Sequence, residues 1–108
     1  MAFYMTQWAY SADATAAMVK NPQDRSAGLK RLIEGLGGKM LAFYFCFGDY
    51  DGLVIYEMPD RVATMGAVMA ATAAGHPKAI KTTELLSVDE TMEAMKKAGA
   101  QIYSAPKA

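Results

Sequence analysis

The chain has 108 residues, with 11 basic and 11 acidic side chains that cancel. That length suits a single domain over residues 1–108, and the neutral balance excludes the basic footprint of a nucleic-acid binder and the polybasic segment of a membrane-surface protein. A lone cysteine, Cys46, excludes an internal disulfide, and neither a basic-then-apolar leader nor an apolar run of membrane-spanning length is visible, so a cytoplasmic protein is expected.

Ala2 to Tyr10 is rich in aromatic and β-forming residues and predicts a first strand, whose even positions carry Tyr4, Trp8 and Tyr10. Ser11 and Asp13 are candidate N-caps for a helix through Val19. Asn21-Pro22 interrupts that helix, and Pro22 suits the start of a second helical segment. Ala27, Ile33 and Leu36, with Leu29 and Leu32 beside them, form its apolar stripe, and Gly37-Gly38 ends it. Lys39 to Phe47 predicts the second strand, with Leu41, Phe43, Phe45 and Phe47 on one face and Met40, Ala42, Tyr44 and Cys46 on the other.

The knot Gly48-Asp49-Tyr50-Asp51-Gly52 is a hairpin turn signal before a third strand, Leu53 to Met58. Asp60 caps the next helix, which runs to about Ala74. Its Val62, Met65, Met69 and Thr72 are expected to face the core. His76-Pro77 opens an extended stretch that leads to a fourth strand, Ala79 to Leu86. Ser87-Val88-Asp89-Glu90 fits a capping box for a last helix with Val88, Met92 and Met95 along one face. Gln101 to Tyr103 is either a short strand or a packed tail.

The order strand, helix, strand, strand, helix, strand, helix predicts an α+β, ferredoxin-like βαββαβ fold with a C-terminal helix and a four-stranded antiparallel sheet. Both main helices then cover one face of the sheet. The second and third strands are apolar on both sides, so the other face is expected to pair with a second copy, giving a homodimer or a higher homo-oligomer.

These residues resemble a known family. Gly48-Asp49-Tyr50-Asp51 is similar to the signature of GYD-domain proteins. Lys20-Asn21-Pro22 with Arg25, Gly37-Gly38-Lys39, Ala42-Phe43-Tyr44, Glu57-Met58-Pro59-Asp60 and Lys81-Thr82-Thr83 resemble further family segments in the same order. The resemblance spans about Phe3 to Glu90. It implies a small bacterial or archaeal-type protein of the dimeric α/β-barrel group of ferredoxin-like folds, a group without one general activity.

Candidate site residues follow from residue type. Tyr4, Trp8, Tyr44 and Tyr56 stand at even strand positions, either as core or as a ring-lined pocket with polar tips. Tyr50 and Asp51 sit in the hairpin knot, as turn residues or at a cavity mouth. Arg25 is a solvated arginine or the partner of Asp49 or Asp51 in a carboxylate-binding pair. Lys81 adds a charge if it points inward. Cys46 is expected to be a small buried hydrophobe.

As the one histidine, His76 excludes a multi-histidine metal site within the chain and is a loop residue or a general base. No metal and no cofactor are expected. Three functions stay open: binding of a small apolar or aromatic molecule in a sheet-lined barrel cavity; a cofactor-independent monooxygenase- or isomerase-like reaction on a small aromatic or carbonyl compound, with His76 or Asp51 moving the proton; or a structural protein with a filled barrel. The enzymatic alternative follows only from the resemblance to dimeric barrels.

Overall fold

The computed structural model describes residues 1–106. Four strands and four helices follow in the order β1 (Ala2–Tyr10), α1 (Ala12–Lys20), α2 (Ser26–Gly35), β2 (Lys39–Phe45), β3 (Gly52–Met58), α3 (Arg61–Ala73), β4 (Pro77–Leu85) and α4 (Val88–Gly99). The strands form one antiparallel sheet of order β2-β3-β1-β4. The fold is the expected ferredoxin-like one. The caps follow the residue chemistry: the side chains of Ser11, Asp60 and Ser87 each accept a backbone N–H of the first turn of their helix. At Ser87 the Glu90 carboxylate completes the capping box by accepting the Ser87 N–H at 2.8 Å. Asp24 accepts both the N–H and the hydroxyl of Ser26 at the start of α2, and these bonds hold its carboxyl below the usual range.

The two faces of the sheet differ. Tyr4, Thr6 and Trp8 of β1 and Val54, Tyr56 and Met58 of β3 are buried, and they share a core with Ile33 of α2 and Ala67 of α3. Full burial of an apolar side chain such as Met58, Ile33 or Val54 stabilises by about 1.5–3 kcal/mol, so this face anchors the domain. On the opposite face Phe3, Met5, Gln7, Leu53, Ile55 and Glu57 all keep partial exposure.

Strand β2 corrects the expected alternation. Met40 pairs with Tyr56, but Ala42 pairs with Ile55, so Leu41 is an extra residue in the ladder. A bulge of this kind reverses the direction of every side chain beyond it. Met40, Phe43 and Phe45 therefore lie on the helix-covered side, where Phe43 meets Trp8 at a ring separation of 5.3 Å. Tyr44, opposite Leu53, goes to the other face and is 64 % exposed. The strand also ends at Phe45, earlier than expected, which leaves Cys46 exposed in the turn rather than buried.

Helix α3 presents the reverse of its expected face. Val62, Met65 and Met69 are exposed, whereas Thr64 and Ala67 are buried and Ala63, Val68 and Ala71 are partly so. Large rings rise from the sheet beneath this helix, and small side chains let its backbone come close to them. The last helix, α4, buries none of its residues, and residues 101–106 are irregular and exposed rather than strand or packed tail.

Gly38 marks the tightest approach in the fold. Its N–H closes α2 on the Ile33 carbonyl at 2.9 Å while Gly37 takes the left-handed conformation, φ +87. A Cβ on Gly38 would run into the Met58 sulfur and the Glu57 carbonyl. Gly38→Ala is expected to cost about 1–3 kcal/mol, as overpacking does, measured as a lowered urea midpoint at unchanged m-value. An unchanged midpoint would contradict this packing.

Candidate functional site

A cleft of about 390 Å³ opens between α2, α3 and the helix-covered face of the sheet. Its floor is Thr6, Trp8, Val54 and Tyr56. Leu29, Leu32 and Ile33 form the α2 wall, and Ala67, Ala70, Ala71 and Ala74 form the α3 wall. Tyr10, His76, Pro77 and Ile80 stand at one end. The lining is mostly apolar, with a few polar tips. A smaller cavity of about 260 Å³ adjoins it and shares Val68 and Ile80; Tyr4, Thr64 and Thr82 line it.

The polar groups form a short chain. The hydroxyl of Thr6 lies 2.7 Å from that of Tyr56 and 2.9 Å from that of Thr82. Burial pushes the Tyr56 phenol above the ordinary tyrosine value, an effect that the hydroxyls of Thr6 and Thr82 partly offset. Tyr56 is thus a neutral hydrogen-bonding group at physiological pH. Tyr4 stacks on Tyr56 with ring centroids 5.9 Å apart. Its hydroxyl is buried and has no hydrogen-bond partner among the described residues, a state that costs about 1–3 kcal/mol.

The Gly48–Gly52 knot shapes one end of this cleft without lining it. Asp51 reaches across to β1. Its N–H donates to the Trp8 carbonyl at 2.8 Å, and its Oδ2 accepts the Tyr10 N–H at 2.8 Å. That second bond holds the chain where β1 slips register between Ala9 and Tyr10. Gly52 leaves room for the Trp8 ring, which a Cβ there would strike. Of the two flanking glycines only Gly48, at φ +119, needs the left-handed backbone region; Gly52 is there for space. The knot is therefore more than a turn: it seats Trp8 and Tyr10, two rings of the cleft.

Of the residues singled out in the sequence, Trp8, Tyr56 and His76 line the cleft and Tyr4 lines the adjoining cavity. The bulge removes Tyr44 from this group. Lys81 pairs with Gln7 and so belongs to the opposite face. Arg25 is exposed and donates to the Asn21 carbonyl at 3.3 Å, so it joins neither Asp49 nor Asp51; the ion pair found among the described residues is Lys97–Glu93 on α4. The Tyr50 carbonyl accepts the Cys46 thiol at 3.2 Å, and neither residue reaches the cleft. Sequence reasoning missed Thr6, Tyr10, Leu29, Leu32, Ile80 and the alanines of α3. The alanine repeat itself was the available signal, because small residues at helical spacing mark close approach to something bulky. No cluster of metal-ligating side chains occurs among the described residues.

Two outcomes test this geometry. Asp51→Ala removes a charged acceptor from the Tyr10 N–H and is expected to lower stability by about 1.5–3 kcal/mol, read in urea unfolding, with increased hydrogen exchange at Tyr10; unchanged exchange there would contradict the role. The raised Tyr56 value has a sign: the folded state keeps its phenolic proton while the unfolded chain loses it near pH 10, so stability is intact below that pH and falls above it. Tyr56→Phe is expected to flatten the fall between pH 9.5 and pH 11, roughly the range over which a tyrosine of ordinary value titrates, as followed by thermal unfolding.

Comparison with known proteins adds a family to this geometry. No curated protein matches the chain. The GYD domain matches residues 4–95, which includes β1 from Tyr4 onward, the other three strands, the knot, both walls of the cleft and most of α4. The chain belongs to the GYD domain family.

Proposed function

We propose that this protein is a small-molecule-binding subunit of a homo-oligomer, taking an apolar or aromatic ligand of modest size in the cleft between α2 and α3. The observation that carries this reading is the cleft itself. Its volume of about 390 Å³ falls within the roughly 300–1,000 Å³ usual for ligand sites, and its mostly apolar walls with a few convergent polar groups are the usual composition. Trp8, Tyr10 and Tyr56 offer ring faces for stacking. The unpartnered Tyr4 hydroxyl beside the cleft supplies a hydrogen-bonding group that the protein leaves unused. The proposed pocket lies beneath the helices, not between two sheets.

The oligomer rests on the opposite face of the sheet. Phe3, Met5, Leu53 and Ile55 are partly exposed there, and Leu41 and Tyr44 more so. Gln7, Glu57 and Lys81 share this face, but exposed apolar side chains gathered on one side of a sheet favour association, and a closed two-fold pair is the commonest arrangement.

One observation favours a catalytic alternative: His76 is a titratable base at the cleft wall. Its side chain has no hydrogen-bond partner among the described residues, and Asp51, the other candidate, already accepts the Tyr10 N–H outside the lining. An acid–base pair aimed into the cleft is thus lacking, and binding is the better-supported reading.

Native mass spectrometry of the purified protein reports both subunit number and any retained ligand. Titration with 1-naphthol, followed by the emission of Trp8, then tests the cleft. Saturable quenching is expected, and Ala71→Phe, which fills the α3 wall, is expected to weaken it at least tenfold with unchanged circular dichroism. Equal binding by Ala71→Phe would refute the assignment.

A further inference from the structure

Helix α4 is a well-capped helix with nothing to lie on. Its apolar stripe, Val88, Met92 and Met95, is exposed, and Ile102 and Tyr103 beyond it are more so. A helix of 12 residues is only marginally stable alone in water, where about 12–15 residues are needed even for good helix formers. The chain is also drawn out: its radius of gyration is 17.6 Å with a long axis of 58 Å, against about 13 Å for a compact domain of this length. The domain thus carries a projecting amphipathic arm.

A matching surface exists on the same chain, but at the far side of the sheet. Strand order β2-β3-β1-β4 puts β4, from which α4 departs, at one edge and β2 at the other. On the open face, edge β2 holds the exposed apolar side chains Leu41 and Tyr44. The arm of one chain and the β2 edge of another come together if two sheets face each other about a two-fold axis parallel to the strands. That operation reverses left and right, so β4 of each copy lies over β2 of the other.

The area is adequate. A face of four strands and about seven residues per strand covers about 450 Å². A 12-residue arm about 18 Å long and 10 Å wide adds a footprint given and one received. Together these approach the roughly 800 Å² per partner of a stable interface.

We infer that α4 is an exchanged arm, which docks its Val88-Met92-Met95 stripe on the Leu41-Tyr44 edge of a second copy of this chain. This rests on the oligomer reading above and adds to it which elements touch and in which subunit. Each pair then has two equivalent arm contacts, as an isologous interface demands.

The test is complementation in analytical ultracentrifugation. Met92→Glu/Met95→Glu spoils the arm, and Leu41→Glu/Tyr44→Glu spoils the edge. Each variant alone is expected to dissociate at least tenfold more readily than the native chain, with the Trp8 emission of the folded core retained. An equimolar mixture is expected to recover part of the association, because a mixed pair keeps one sound arm on one sound edge. A contact within one chain would give no recovery on mixing, and that result overturns the exchange. A native chain that is already a monomer overturns the oligomer reading itself. A native dimer indifferent to both double variants leaves that reading standing and removes the arm. Should an edge variant fail to fold, deletion of residues 87–108 is the second arm variant, and a deletion that dimerises like the native chain overturns the proposal.

Discussion

Trp8 rests directly on Gly52, and much of the domain depends on that contact. An indole ring in the middle of a small sheet needs flat room on the neighbouring strand, and only a residue without Cβ leaves it. Once the ring is down, Phe43 can meet it from β2, Tyr10 from β1, and α2 and α3 can settle on either side. The aspartate before that glycine ties the end of β1 to the same knot through Tyr10. The family signature is therefore intelligible as a mounting for aromatic rings, with its acidic residue spent on backbone geometry.

The helix-covered face then obeys a size rule. Tyr4, Trp8 and Tyr56 are too bulky for two ordinary helices to close over them. The chain answers with alanines and a threonine on the underside of α3 and with Leu and Ile on α2. The two walls differ in reach, and the space between them stays open as the cleft. A core packed to uniform density would have no such opening. The opening is thus a product of pairing large residues on the sheet with small ones on a helix.

Most of the fold was legible from residues alone. Glycine, proline and capping residues stand at nearly every boundary, and Ser11, Asp60 and Ser87 act as the chemistry of their side chains suggests. Two features were hidden. The bulge at Leu41 leaves no mark in a run where every residue is apolar, since alternation carries no information when both faces are greasy; Tyr44 was misplaced for that reason. Hydrophobicity alone points the methionine stripe of α3 at the core, whereas side-chain volume beneath the helix favours the alanines. The cleft was partly visible: Trp8, Tyr56 and His76 were singled out, but Thr6, Tyr10 and the alanine wall belong to it through three-dimensional proximity that no spacing announces.

The one-residue slip in β2 has a consequence for how such a chain can vary over generations. Phe43 answers to the indole that floors the cleft, whereas its immediate neighbour Tyr44 answers to whatever meets the outer surface. Adjacent codons thus serve separate masters. Drift at Tyr44 can remodel the outer surface while the cavity keeps its shape, and drift at Phe43 can shift the indole beneath the cavity without disturbing that surface.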